Sequence, residues 1–212
     1  MKTFQASDLF QAQEQIFSSL KDEESKLEAI QNSGEPLVNK WQKFLEVILP
    51  IQIEAIKNLG YGSDQAALAN FNEQFIKASA QDPALRELNE QKWIFLLEKA
   101  FGLQEQKPIS LEQARSLIGD IASAMASETF LQEIDRTFEL LSDQASLLER
   151  RQQLLTVLFP LHMSIMGKHG FSGDHGYIQA QRALMDYYSD PFIMEQSKLA
   201  QIAVFKRAKL IK

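Results

Sequence analysis

A pattern that occurs twice, about 110 residues apart, constrains the fold of this chain more than any other feature. Each copy is an apolar run with a proline inside it. A glycine follows ten residues after that proline, an aromatic residue comes next, and an aspartate stands four residues after the glycine. The copies span residues 44–68 and 154–178, and the matching residues are Pro50, Gly60, Tyr61 and Asp64 in the first and Pro160, Gly170, Phe171 and Asp174 in the second. Repetition of this length predicts that one structural module is present twice.

The glycines and aspartates of the pattern have predictable roles at helix ends. Glycine readily adopts the left-handed conformation that closes a helix, so we expect helices to end at Gly60 and Gly170. A carboxylate accepts hydrogen bonds from the free backbone amides of a first helical turn. We therefore expect the following helices to begin at Asp64 and Asp174.

Two further signals mark helix starts. The dipeptides Asp82-Pro83 and Asp190-Pro191 combine an aspartate that can cap a helix with a proline that suits the first helical position. Ser110 opens the second copy with the capping-box sequence SLEQ. The polar residues 103–108 before it contain a proline and are the expected linker.

Hydrophobic spacing predicts the fold class. Apolar residues recur at spacings of three and four, and alternating β-branched runs are missing, so we interpret the chain as all-α. We expect two tandem five-helix modules related by internal duplication, residues 1–105 and 106–212. The predicted helices cover residues 8–20, 23–31, 36–59, 64–78, 83–100, 110–126, 129–141 and 143–168, and the last two begin at residues 174 and 191.

The long helices that contain Pro50 and Pro160 are the expected central helix of each module. Their residues are apolar almost all round, which is typical of a buried helix. A proline inside a helix removes one hydrogen bond and clashes with the carbonyl four residues back, here that of Glu46 or Thr156, so we expect a kink. Two interpretations of the kink stay open: it shapes the core, or it opens a pocket or exposes carbonyl groups to a ligand.

Charge and composition argue against several classes of protein. The net charge of −6 gives no electrostatic support for nucleic-acid binding. Cysteine is absent, which removes disulfides, thiolate zinc sites and cysteine nucleophiles. No apolar run reaches the length of a membrane span, and residues 1–8 lack the apolar segment of a signal peptide. We therefore expect a cytoplasmic protein that binds neither nucleic acid nor membrane.

Several segments carry a family resemblance. The first copy contains FLEVILP at residues 44–50 and QDPA at 81–84, and the second contains SLEQA at 110–114, LTVLFP at 155–160 and GFSGDHG at 170–176. These segments resemble the protein C-10 family of small cytosolic helical proteins. The resemblance covers nearly the whole chain, once per half, and is stronger in the second copy.

The resemblance implies a non-enzymatic, cytoplasmic role in cellular regulation, with no catalytic residue to carry over. The chain departs from the family in two ways. Family members are typically single modules, whereas this chain has two copies. They also commonly carry a cysteine near the Gly-aromatic-Ser step, which neither copy has.

The candidate ligand site consists of His162, His169, Asp174 and His175, all in the second copy. Histidine and aspartate are common metal ligands. However, His162 and His169 are about 10 Å apart along one helix, too far to share an ion unless the helix ends between them. The alternative interpretation is that these histidines lie at the surface or at helix ends. We predict no metal, no cofactor and no catalytic residue.

Two functional hypotheses follow. The leading one is a non-enzymatic, cytoplasmic helical interaction or scaffold protein whose partner protein and pathway the sequence does not identify, with homo-oligomerisation left open. The alternative is a helical protein that binds a small molecule or metal, or an enzyme. Its site would lie at the kinked helix and the Gly-aromatic step of the second module.

Overall fold

The computed structural model describes residues 4–103, 105–142 and 144–210. Within these ranges the chain forms ten α helices and no β strand, which confirms the all-α prediction. None of these helices is both long and apolar enough to cross a membrane. The chain divides into two compact units, Met1–Gly102 and Leu103–Lys212, named here the first unit and the second unit. That one module was duplicated stays a prediction.

The first unit contains five helices. They are α1 (Ala6–Asp22), α2 (Glu24–Gln31), α3 (Leu37–Asn58), α4 (Gln65–Gln81) and α5 (Pro83–Phe101). Helix α3 contacts the other four. Its inner side buries large apolar residues, including Phe44, Ile48 and Ile56. Helix α5 packs most extensively on α2.

The second unit also contains five helices. They are α6 (Leu111–Met125), α7 (Glu128–Glu139), α8 (Leu147–Lys168), α9 (Gly173–Met185) and α10 (Pro191–Arg207). Helix α8 contacts α6, α7 and α9. Helix α10 packs most extensively on α6, so the last helix of each unit has a different main neighbour.

Both prolines lie inside their helices as predicted, but at exposed positions. Pro50 is exposed in α3, and Glu46 one turn earlier is exposed too. Pro160 is exposed in α8, as is Thr156. Neither helix is buried all round as we expected, and other helices of each unit contact as many neighbouring helices. An exposed proline is tolerated because water can reach the turn where its missing amide leaves the helix one hydrogen bond short.

The predicted helix ends at Gly60 and Gly170 are confirmed. Their φ angles are +77° and +84°, in the region that favours glycine. In both units the amide of the following aromatic residue donates to the carbonyl five residues back, at 3.2 Å in the first and 2.9 Å in the second. This is the hydrogen bond of a Schellman motif.

Four predicted helix starts are also confirmed. Asp64, Asp82 and Asp190 each accept a hydrogen bond from a first-turn amide, of α4, α5 and α10 respectively. Ser110 and Gln113 form the capping box of α6. These starts depend on residues within one turn of each other, which is why the sequence predicts them well.

Helix α1 begins at Ala6, two residues before its predicted start. Two helix starts of the second unit also differ from the prediction. Helix α9 begins at Gly173 with Ser172 as N-cap, so Asp174 lies inside its first turn rather than at the cap. Helix α8 begins after a capping box at Ser146. The predicted start of that helix, Asp143, lies outside the described residues.

The expected linker is bound to the second unit. Gln106 donates to Asp186 at 3.1 Å, and Tyr187 donates through its hydroxyl to the carbonyl of Ile109 at 2.6 Å. Gln104 lies outside the described residues. The division between the units falls after residue 102, three residues before the expected boundary.

Candidate functional site

The four residues of the candidate ligand site lie on α8 and α9. His162 is inside α8, His169 is its C-cap, and Asp174 and His175 belong to the first turn of α9. Within the described ranges, no group of three or more His, Asp or Glu side chains is placed to hold a metal ion. The structure therefore does not bring these four residues together as one metal-binding set.

His169 is engaged with another helix. Its Nε2 lies 2.8 Å from Oδ2 of Asp120 on α6, a contact that requires a proton on Nε2. Asp174 and His175 are both exposed. The contact links the end of α8 to α6, which is a structural role.

His162 is half-buried in α8, and its Nε2 is fully buried with no hydrogen-bond partner among the described residues. Burial lowers the pKa of His162 to about 4, because the protonated ring would be poorly solvated there. The ring is therefore neutral at physiological pH. An unpaired buried nitrogen destabilises the fold, and nothing in the structure explains why a histidine stands here.

Residues 170–174, named here the second Gly-aromatic segment, are covered by the chain itself. Lys107 donates through Nζ to the carbonyl of Gly170 at 2.6 Å. The same ammonium lies 4.7 Å from the ring centre of Phe171, a cation–π contact. On the other side, the start of α9 lies against the Phe171 backbone, since a Cβ on Gly176 would be only 2.5 Å from the Phe171 carbonyl carbon.

Residues 60–64, named here the first Gly-aromatic segment, border an open cleft of about 280 Å³. The wall of the cleft is an aromatic pair, in which the rings of Phe4 and Tyr61 stack with centres 3.6 Å apart. The hydroxyl of Tyr61 donates to Asp8 at 2.9 Å, and the amide of Phe4 donates to Gln74 at 2.8 Å. Desolvation and the Asp8 carboxylate raise the pKa of Tyr61 to about 12, so Tyr61 stays a neutral donor.

The rest of the cleft combines small residues with two polar side chains. The small residues are Gly60, Gly62, Ala66 and Ala67. Asp64 accepts the amide of Ala67 through Oδ1 at 2.8 Å, and it forms no ion pair with the described residues. Asn70 accepts a hydrogen bond from Gln74 through Oδ1 at 2.8 Å. Asp64 is therefore the one carboxyl side chain among the described residues that line the cleft.

The second unit also exposes large apolar side chains. Among the described residues, those exposed by more than a third are Leu111, Leu140, Phe192 and Leu199. Phe192 and Leu199 are seven residues apart on α10 and so lie on one side of that helix. They are named here the α10 stripe, and they are exposed by 40% and 57%.

Leu111 is exposed at the start of α6. Arg115, one turn after Leu111 on α6, pairs with Asp190, two residues before Phe192. This ion pair joins the N-terminal parts of α6 and α10, and the ring of Phe192 lies near Gly119, two turns beyond Leu111 on α6. The sequence does not reveal this surface because apolar residues occur all around α10, and their pattern alone does not tell which of them are covered.

Comparison with protein-family models, with curated proteins and with solved structures found no match to this chain. The resemblance to the protein C-10 family therefore stays a prediction. The assignment of function depends on the surfaces described above.

Proposed function

We propose that the protein is a non-enzymatic, cytoplasmic helical interaction protein that binds a partner protein through the α10 stripe. The observation that best supports this function is the exposure of Phe192 and Leu199 on one side of α10. Single exposed apolar residues are ordinary, but several on one face are typical of interaction surfaces. The proposal agrees with membership of the protein C-10 family, which we also propose.

The geometry of the stripe favours a helical partner. Phe192 and Leu199 are two turns apart, about 10 Å along the axis. Apolar anchors at this spacing match the i and i+7 positions of an amphipathic helix lying against α10. Glu195 is exposed between them, and its negative charge can select a partner with a basic residue at the matching position.

The test compares two leucine substitutions. Leu199→Glu places a charge in the stripe, whereas Leu140→Glu changes a leucine that is 94% exposed at the end of α7. The partner is first identified by affinity capture from the native cell, then purified and titrated against each protein by calorimetry. We expect Leu199→Glu to weaken binding at least tenfold, about 1.4 kcal/mol, and Leu140→Glu to leave it unchanged.

Two results would contradict the proposal. Equal binding by both variants would show that the stripe is not the binding surface. The second result is a wild-type dimer, seen by light scattering, that Leu199→Glu converts to a monomer. The stripe would then join two copies of this chain, and no other partner would be needed to cover it.

A further inference from the structure

The second Gly-aromatic segment binds an ammonium group that belongs to the chain itself. Lys107 places its Nζ 2.6 Å from the Gly170 carbonyl oxygen and 4.7 Å from the ring centre of Phe171. A carbonyl at the end of a helix carries partial negative charge, and the face of an aromatic ring attracts cations. This segment therefore shows how a glycine followed by an aromatic residue can hold a primary ammonium.

The first Gly-aromatic segment offers the same kind of acceptor without a cation. The carbonyl of Gly60 occupies the position that matches Gly170 in the pattern, and it accepts no hydrogen bond from the described residues. Phe4 already covers one face of the Tyr61 ring. An incoming cation would therefore meet the carbonyl and the open cleft rather than that face of the ring.

The charge of the cleft favours a cation over an anion. One oxygen of Asp64 accepts the Ala67 amide, and the other is not paired with any described residue. An anion at the start of α4 would be repelled by this carboxylate, which already caps the helix. The volume of about 280 Å³ is slightly below the range of drug-sized ligand sites, which suits a single ammonium-bearing chain.

We infer that the cleft at the first Gly-aromatic segment binds a primary ammonium group, with Asp64 and the Gly60 carbonyl as its acceptors. The ammonium comes either from a small free amine or from a lysine side chain of another protein, since both present the same chemistry. This site is in the first unit and is independent of the α10 stripe proposed above.

The test is a titration of the ¹⁵N-labelled full chain, followed by the amide signals in two-dimensional NMR. The probe is n-butylammonium, and n-butanol and butyrate serve as neutral and anionic probes of matched length. We expect saturable shifts at Gly60, Gly62 and Ala67 with n-butylammonium alone. Absence of saturable shifts, or equal shifts with n-butanol, would overturn the inference.

Asp64→Asn isolates the contribution of charge. Asparagine caps a helix about as well as aspartate, so α4 should still begin at the same residue. Losing one charge-assisted hydrogen bond should weaken n-butylammonium binding about tenfold. Asp174→Asn is the matched control in the second unit and should not change it. Undiminished binding by Asp64→Asn would show that the carboxylate is not an acceptor.

Lys107→Ala tests the comparison between the two segments. Removing this side chain uncovers the Gly170 carbonyl and the ring of Phe171. We expect n-butylammonium to produce new shifts at these two residues in Lys107→Ala that the wild type lacks. If no new shifts appear, a glycine carbonyl beside an aromatic ring does not suffice for an ammonium site, and the inference loses its main support.

A blocked peptide with one lysine identifies the source of the ammonium. Binding at least tenfold tighter than that of n-butylammonium would indicate a lysine of a partner protein. Equal or weaker binding would indicate a small free amine. Either result supports an ammonium site. If neither the lysine peptide nor n-butylammonium binds, the inference is overturned, and the proposal that a partner binds the α10 stripe is unaffected.

Discussion

The two Gly-aromatic segments share the spacing of glycine, aromatic residue and aspartate, yet they differ in structure. In the second unit α9 begins at Gly173 and packs closely against the backbone of Phe171. In the first unit α4 begins at Gln65, five residues after Gly60, whereas α9 begins only three residues after Gly170. A cleft stays open beside Tyr61. The same local signals therefore permit either a closed or an open arrangement.

Two positions explain this difference. Ala66 stands in the first unit where Gly176 stands in the second. If α4 approached Tyr61 as closely as α9 approaches Phe171, the methyl group of Ala66 would overlap the backbone of Tyr61. The place of Gly173, which has a φ of +69°, is taken by Ser63. Serine rarely adopts that conformation. The two glycines let the helix begin early and close the second segment.

The largest expected effect is that of Gly176→Ala. The new methyl group would lie 2.5 Å from the carbonyl carbon and 3.1 Å from the carbonyl oxygen of Phe171, so α9 would have to move. We expect a loss of about 3 kcal/mol in the free energy of unfolding. Urea unfolding followed by far-UV circular dichroism measures it.

Ala66→Gly is the matched control in the first unit. It removes a methyl group from the first turn of α4 and should cost at most about 1 kcal/mol, the difference in helix propensity between glycine and alanine. Both tryptophans, Trp41 and Trp93, lie in the first unit. Tryptophan fluorescence therefore follows that unit alone. If Gly176→Ala cost no more than Ala66→Gly, close packing would not be the reason for the difference.

The helix ends could be predicted because their causes are local. Gly60 acts within the last turn of α3, and Asp82 with Pro83 acts within the first turn of α5. Each of these residues acts on backbone groups within one helical turn, so its role can be predicted from the residue type and its position in the sequence. The start of α9 was not predicted because it depends on the contact between Gly176 and the backbone of Phe171. The glycine is visible in the sequence, but its contact is not.

The cleft could not be predicted because distant residues build it. Phe4 and Tyr61 stack although 57 residues separate them along the chain. Lys107 and Gly170, which meet in the second segment, are 63 residues apart. The histidines drew the prediction to the second unit, where His169 is engaged with Asp120. Residue type alone carries no arrangement in space, so it did not indicate that the first segment borders a cleft.

A second comparison concerns one buried position in the last helix of each unit. Lys92 stands ten residues after the cap of α5, and Ala200 stands ten residues after the cap of α10. Both are buried, with Lys92 only 4% exposed. Burial lowers the pKa of Lys92 from 10.5 to about 7, because its ammonium is removed from water. No described carboxylate pairs with it.

This pKa makes the stability of the first unit depend on pH. Between pH 7 and 10.5 the unfolded chain binds more protons at Lys92 than the folded chain, so the free energy of unfolding rises with pH. The destabilisation is greatest below pH 7 and disappears near 10.5. We expect a rise of about 2 kcal/mol between pH 7 and 9. Urea unfolding followed by tryptophan fluorescence at both pH values measures it.

Lys92→Met should abolish this rise, since methionine has similar length and no charge. Lys99→Met on the same helix is the control. The ammonium of Lys99 is paired with Glu24 and Glu28, which raises its pKa, so its loss should not change the slope between pH 7 and 9. A rise that persists in Lys92→Met would assign the pH dependence to another group.

The smallest expected effect separates the two aspartates of the pattern. Asp64→Ala removes the side chain that accepts the Ala67 amide at 2.8 Å, and losing a helix cap costs about 1 kcal/mol. Asp174→Ala removes only a charge from the first turn of α9, which costs about 0.5 kcal/mol. Urea unfolding measures both, by tryptophan fluorescence for Asp64→Ala and by circular dichroism for Asp174→Ala. Equal losses would mean that Asp174 also acts as a cap, and the two segments would then differ only through their glycines.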